Sequence, residues 1–188
     1  MYNSHLSYFL KKIIIFISSF FYDPKYFKGK YFEEKVSGWM WLLIGIKNKI
    51  LGFNINTKFP VHPSTNIHNC DNIQFDIDDL HIFQVPGCYY NNFSAKIFLG
   101  KGTYIAPNVG IITANHDFDN LSKHLPGKDV TIGDNCWIGM NSVILPGVEL
   151  GNNTIVGAGS IVTKSFKEGN IVIGGNPAKI IKKITHNE

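Results

Sequence analysis

The stretch that decides the fold runs from residue 132 to residue 163 and reads IGDNCWIGMNSVILPGVELGNNTIVGAGSIVT. In it an aliphatic residue returns at every sixth position, and in most cases glycine follows directly; the six positions are Ile132, Ile138, Ile144, Leu150, Val156 and Val162. Neither the period of an α-helix nor the alternation of an ordinary strand gives this spacing. A period of six instead fits a coiled sheet in which each flat face is a short strand followed by a corner.

The same spacing extends upstream, at residues 99, 105 and 111 and at residues 55, 61, 67 and 73. We therefore predict a parallel β-helix of triangular cross-section, in which each inward aliphatic side chain stacks on its equivalent three faces later. Glycine after the aliphatic residue would supply corner backbone that a side chain would hinder. The spacing does not determine the handedness of the coil.

The motifs of this region resemble those of the hexapeptide-repeat acyltransferases, above all the galactoside, maltose and xenobiotic acetyltransferases and the sugar O-acetyltransferases of surface polysaccharides. The resemblance covers about residues 55–183, through IGDNCWIG at 132–139, ILPGV at 144–148, VGAGSIVTK at 156–164 and GNPAK at 175–179. It implies a left-handed β-helix, a homotrimer with active sites between subunits, and acetyl-CoA as co-substrate. It further implies transfer to a sugar hydroxyl, in surface polysaccharide or glycan biosynthesis, with no metal.

A polar insertion at residues 113–129 interrupts the repeat and contains His116. Loops on a rigid scaffold often carry function, and histidine transfers protons readily at neutral pH. By the resemblance His116 is the general base. Asp117 or Asp119 would orient its ring, with a backbone carbonyl as the other option. Asn115 is expected to contact the acceptor, whereas His124 is more simply a loop residue.

The resemblance also assigns the donor side of the site. The backbone N–H of Met140 would stabilise the oxyanion, and the CoA cleft would be formed by Trp137, Gly139, Met140, Ala158, Thr163, Lys164, Lys179 and Lys182. Because the chain has no arginine, lysine would have to hold the CoA phosphates without bidentate geometry. For the acceptor, residues 74–96 supply acids, amides and aromatic rings, and Asn92 is the predicted contact.

The N-terminal segment, residues 1–52, is predicted to form two amphipathic helices, with apolar stripes at 6, 10, 13, 17 and 20 and at 36, 39, 43, 46 and 50. Its longest apolar run is too short to cross a bilayer, and no cleavage motif follows it. Nine of the 18 lysines lie in residues 1–58, against three acidic residues. The stripes therefore indicate packing on the main body or a sister subunit, or peripheral membrane contact through residues 1–50. A nucleic-acid partner is not expected, because the basic excess is confined to this segment.

The full expected organisation is an N-terminal helical segment at 1–52, the β-helix at 53–176 and a short closing helix with a tail at 177–188. Three widely spaced cysteines without a CxxC motif favour a reduced, cytoplasmic protein. Membrane contact through residues 1–50 would place it at the inner face of the membrane. Two alternatives stay open: N-acetylation of an amino sugar, which is nucleotide-linked in one version, and a non-catalytic or carbonic-anhydrase-like β-helix.

Overall fold

A computed structural model describes residues 8–185, and its main body is a coil of short parallel strands. Sheet 1 contains β1 (Asn66–Ile67), β3 (Tyr89–Asn91), β6 (Gly110–Ile112), β9 (Val143–Ile144) and β12 (Ile161–Val162). Sheet 2 contains β2 (Ile73–Gln74), β4 (Ile97–Leu99), β7 (Val130–Ile132) and β10 (Glu149–Leu150). Sheet 3 contains β5 (Tyr104–Ile105), β8 (Trp137–Ile138), β11 (Thr154–Val156), β13 (Ile171–Gly175) and β14 (Ala178–Lys183).

The strand register confirms the predicted stacking of the six-residue repeat. Ile138 lies opposite Val156 in sheet 3, and Ile144 lies opposite Val162 in sheet 1, each pair one full turn of the coil apart. Both pairs are fully buried. A continuous aliphatic column therefore fills the coil, and each turn is stabilised mainly by its neighbours.

Glycine and asparagine have different roles at the corners of the coil, whereas the sequence predicts a role for glycine alone. The repeat glycines are needed for close approach: a Cβ on Gly139 would lie 2.6 Å from the backbone nitrogen of Ala158 in the next turn. The left-handed backbone conformation is supplied largely by asparagine, with φ between 49° and 59° at Asn108, Asn135, Asn141, Asn153 and Asn170. Asparagine tolerates this region better than other residues with a Cβ.

The N-terminal segment forms α1 (Tyr8–Ser18), a short α2 (Lys30–Glu33) and α3 (Ser37–Ile50). Most positions of the predicted apolar stripes do not pack on the chain's own body. Ile14 and Ser18 are the buried residues of α1, whereas Ile17 and Phe20 are 46% and 73% exposed. Leu6, the first position of the predicted stripe, lies outside the described residues. No helix within 8–185 is both long enough and apolar enough to cross a membrane.

Both ends of the predicted β-helix differ from the expectation. The first strand begins at Asn66, and Ile55 is exposed, so the early repeat positions belong to a turn region. At the other end the predicted closing helix is wrong: β14 runs antiparallel to β13. Gly175, at φ 101°, lets the chain fold back, and the open edge of β13 pairs with it. The segment thus still covers the sheet edge, as a strand.

Candidate active site

The insertion at 113–129 leaves the coil where sheet 1 passes into sheet 2, a line of corners that we call the loop edge. It follows β6 and returns to β7. Its two arms are held together by hydrogen bonds from Asp117 N to Lys123 O and from Leu125 N to Asn115 O, both 2.9 Å. An antiparallel bridge pairs His116 with His124 between them. The loop is therefore held in a defined conformation by its own backbone hydrogen bonds, and it places His116 outside the coil.

The ring of His116 is oriented by a backbone carbonyl. Its Nδ1 lies 2.7 Å from the carbonyl oxygen of Leu121. A carbonyl only accepts, so Nδ1 must carry the proton, and the neutral ring then has its lone pair on Nε2. His116 is exposed, so this tautomer presents a basic nitrogen at the surface. The sequence could not identify Leu121, because the interaction uses its main chain.

The prediction that Asp117 or Asp119 orients His116 is wrong. The Asp117 carboxylate accepts a hydrogen bond from the backbone N–H of Asp119 at 2.9 Å and so caps a turn within the loop. Aspartate commonly bonds to the backbone two residues on in this way. Asn115 lies beside His116 on the loop and is exposed, as an acceptor contact would need to be.

The prediction that Asn92 contacts the acceptor is wrong. Its side chain is fully buried, accepting from Asn69 N at 3.0 Å and donating to Asn69 O at 2.7 Å. It joins two turns of the coil and has no surface for a sugar. The neighbouring Asn91 pairs with Ile112, just before the insertion, and its Oδ1 is buried without a hydrogen-bond partner among the described residues. Asn91, the last residue of β3, and Asn92, directly after it, have their side chains in different surroundings. The sequence alone did not show which of the two is turned inward.

The other polar residues of 74–96 mostly anchor the helical segment. Asp78 accepts from the backbone N–H of Lys30, at the start of α2, at 2.8 Å. Asp79 is buried and accepts from Gly102 N at 2.6 Å, and burial raises its pKa. His81 packs between Tyr31 and Tyr104, and burial lowers its pKa. This group lies beside sheet 3, away from the loop edge.

The predicted oxyanion donor lies on a different line of corners from His116. Met140 follows β8 and precedes β9, where sheet 3 passes into sheet 1. We call this line the Met140 edge. The Met140 carbonyl accepts from Gly159 N at 2.8 Å, while within residues 8–185 no hydrogen bond uses its N–H. Its side chain is 45% exposed. The two edges are separated by the full width of sheet 1.

The predicted CoA residues are also divided between the edges. Gly139 and Ala158 occupy the Met140 edge in successive turns, and a Cβ added to Gly159 beside them would meet no described atom within 4 Å. Thr163 and Lys164 lie on the loop edge, directly after β12, and both are exposed. Trp137 is 54% exposed on the outer face of sheet 3. Within one chain the predicted site residues thus lie on two separate edges.

The two C-terminal lysines of the prediction lie on β14. Lys179 pairs with Gly174 and Lys182 with Val172, so the first is near the Met140 edge and the second near the far side of sheet 3. Both are exposed. Because they stand on a strand rather than on the expected helix, they are spaced along an extended line.

Comparison with known proteins agrees with the six-residue repeat and the coil. The family described as bacterial transferase hexapeptide (six repeats) matches residues 129–164. These residues belong to that family. A Dictyostelium discoideum protein provisionally named an acetyltransferase is 48% identical over 105 residues, which are 51% of this chain and 55% of that protein.

Two solved structures extend the comparison. A hexapeptide-repeat acetyltransferase from Vibrio cholerae, complexed with acetyl-CoA, is 29% identical with a TM-score of 0.50, over 53% of this chain and 55% of that one. A maltose O-acetyltransferase from Clostridium difficile is 43% identical with a TM-score of 0.49, over 53% and 54% of the two chains. The hexapeptide fold is a left-handed parallel β-helix, as the resemblance implies. The chain spans about half the length of the curated relatives it matches.

Proposed function

We propose that the protein is an acetyl-CoA-dependent O-acetyltransferase that acts on a sugar hydroxyl in glycan biosynthesis, with His116 as general base. The observation that carries this proposal is the hydrogen bond from His116 Nδ1 to the Leu121 carbonyl, which leaves Nε2 as the basic nitrogen of an exposed ring. The hexapeptide match and the acetyl-CoA complex of the Vibrio relative support the donor. Because acetyl-CoA is the donor, the proposal includes a cytoplasmic location.

In the proposed step His116 Nε2 takes the proton from the acceptor hydroxyl as its oxygen attacks the thioester carbon. The oxyanion that forms is stabilised by a backbone N–H, for which Met140 is the candidate. The C–S bond then breaks as the C–O ester bond is completed, and the imidazolium returns the proton to the CoA thiolate. Proton transfer of this kind contributes roughly 10²–10⁴ in rate.

The division between two edges supports a trimer with active sites between subunits. Within one chain the base and the oxyanion donor lie at opposite sides of sheet 1. Rotational symmetry would bring the loop edge of one subunit against the Met140 edge of the next. In that arrangement Gly139, Met140 and Ala158 of one subunit face His116, Thr163 and Lys164 of its neighbour, and the CoA arm lies between them.

Lysine is proposed to hold the phosphate end of CoA. Lys164 lies on the same edge as His116, two turns further along, with its Nζ 5.5 Å from the ring of Phe166. Lys179 and Lys182 add positive charge along β14. As point charges they would attract the phosphates without fixing their orientation, so the extended backbone of the coil must position the arm.

The exposed helices support peripheral contact with an anionic membrane. α1 and α3 contain lysines and no acidic residue. They expose large apolar side chains, including Tyr8, Phe9, Phe16, Met40, Leu43 and Ile50. Apolar surface bordered by lysine favours the interface of anionic lipids. A sister subunit is the other occupant that the sequence allowed, and vesicle binding distinguishes the two.

The reaction is tested by thiol release from acetyl-CoA with a panel of sugars and amino sugars, comparing the parent protein with His116→Ala. His62→Ala is the matched control, since that ring bonds to Ser64 away from the insertion. We expect a loss of at least about 10²-fold for His116→Ala and little change for the control. Product stability in mild alkali separates the esters of O-acetylation from the amides of N-acetylation. Full activity in His116→Ala would refute the mechanism.

A further inference from the structure

A series of exposed rings leads away from His116, along the loop edge and onto the outer face of sheet 1. The ring of His116 lies 4.3 Å from that of His124, which lies 4.9 Å from Phe93. Phe93 lies 6.0 Å from His68, and His68 lies 5.3 Å from Tyr89, all measured between ring centroids. We call these five residues the aromatic row. Each is exposed in the single chain, so in the proposed trimer the row would border the cleft between subunits and offer ring surface to a ligand there.

The aromatic row follows the coil upstream. Its members lie on or directly after β1 and β3, and then on the insertion after β6. In sheet 1 these strands are ordered β1, β3, β6, whereas β9 and β12 continue in the opposite direction toward the proposed CoA residues. The donor and the row therefore lie on opposite sides of His116. A ligand on the row would meet the base from the acceptor side.

The row ends at a polar cleft. Its volume is about 300 Å³, and His68 is one of its lining residues. The rest of its lining is Asn54, Ile55, Asn56, Thr57, Asn66 and Ile67. Amide and hydroxyl groups of this kind can exchange hydrogen bonds with sugar hydroxyls, and flat rings provide apolar faces for stacking.

Charge near the cleft favours a neutral ligand over a diphosphate. Among the described residues that line it there is no lysine. Lys49, on α3, donates hydrogen bonds to three carbonyl oxygens, those of Phe21, Ile55 and Thr57. Lys58 is paired with Asp71. A nucleotide-linked sugar would need cations for its phosphates, which the described lining of this cleft does not offer.

We propose that the acceptor is an oligosaccharide rather than a single or nucleotide-linked sugar. Its modified sugar would lie at His116, and the following sugars would stack on Phe93 and His68 and reach the cleft lined by asparagines. This inference rests on the proposed acetyl transfer, because it assigns the acceptor of that same base.

The test uses the full chain, [¹⁴C]acetyl-CoA and the carbohydrate extract of the source cells, separated by size. Label in glycans of two or more sugars is expected. Label confined to monosaccharides or nucleotide sugars would overturn the inference and leave the acetyl transfer intact. Absence of label from every fraction, together with absence of acetyl-CoA binding, would instead refute the proposed function; binding without any labelled glycan would count against the oligosaccharide acceptor.

Variants test the row itself. Phe93→Ala and His68→Ala should each raise KM for the labelled glycan about tenfold, with acetyl-CoA binding unchanged. Tyr104→Ala, which removes an exposed ring on sheet 3 away from the loop edge, is the matched control and should leave KM unchanged. In the proposed trimer the row borders the cleft between subunits, so Phe93→Ala should keep the sedimentation coefficient of the parent. A changed coefficient would show that Phe93 holds copies together instead of binding the glycan, and would also overturn the inference. Unchanged KM in both row variants would do the same.

Discussion

Replacing Gly133 with alanine tests whether the repeat glycines are set by close contact between turns of the coil. A Cβ at this position would lie 2.7 Å from the backbone nitrogen of Asn152 in the next turn, where ordinary contact begins at 3.4 Å. The turns would have to separate locally by about 0.7 Å. The hydrogen bond from Gly133 N to Leu150 O, now 2.9 Å, would stretch beyond the range of a useful bond.

The expected cost follows from these distances. Overpacking of a well-packed site costs about 1–3 kcal/mol, and the weakened hydrogen bond adds about 1 kcal/mol, so the free energy of unfolding should fall by roughly 2–4 kcal/mol. Gly157→Ala is the matched control. It holds the equivalent place in the repeat, but the nearest atom to its added Cβ is the Ile173 carbonyl oxygen at 3.4 Å. Neither glycine has a positive φ, so alanine can adopt both conformations.

The measurement is equilibrium unfolding in denaturant at one fixed protein concentration, followed by circular dichroism. The concentration must be constant because association would add to the apparent stability. We expect a lower midpoint for Gly133→Ala and a midpoint close to that of the parent for Gly157→Ala. Equal shifts in the two variants would refute the reasoning, since their backbone changes are the same and only the space differs.

Three further predictions concern the loop, the buried histidine and the helices. Asp117→Asn should retain most of the parent's acetyl transfer, because the Leu121 carbonyl orients His116; a loss comparable to that of His116→Ala would contradict this assignment. Burial lowers the pKa of His81 in the folded chain. The unfolded chain therefore binds more protons as pH falls toward and below about 6.5, and the parent should lose stability as pH is lowered through that value. In His81→Phe the denaturant midpoint should not fall as pH is lowered in this way. A fall equal to that of the parent would exclude His81 as the source of the lost stability. The full chain should float with phosphatidylglycerol vesicles but not with phosphatidylcholine vesicles, more weakly at high salt, and Phe16→Ser should reduce flotation; equal binding to both lipids would argue for a protein partner.

The coil could be predicted because its cause is periodic. Each of Ile138, Ile144 and Val156 is buried for the same reason, and the same spacing that places them also fixes their neighbours one turn away. The C-terminal segment could not be predicted in this way. Whether residues after Pro177 form a helix or a strand depended on an unpaired edge of β13, which is a property of the assembled sheet and not of the local sequence.

Side-chain roles at the site depended on non-periodic contacts. His116 was identifiable because it interrupts the repeat, but its partner is a main-chain oxygen brought close by the bridge between His116 and His124. Asn92 can hydrogen-bond to a sugar, yet it lies directly after β3 with its side chain turned inward, where it bonds with Asn69. Composition indicates what a side chain can do, and only the register decides whether it faces a ligand.

The direction of the coil explains how the proposed donor and acceptor sites can share one edge. Along sheet 1 each strand lies beside the strand of the previous turn, so residues after successive strands form a line in chain order. His116 stands in the middle of that line, with Phe93 before it and Lys164 after it. A neutral, ring-lined approach on one side and a cationic one on the other follow directly from where the insertion interrupts the repeat. The position of the insertion in the repeat thus sets how many turns of the loop edge lie on each side of His116, those of β1 and β3 before it and those of β9 and β12 after it.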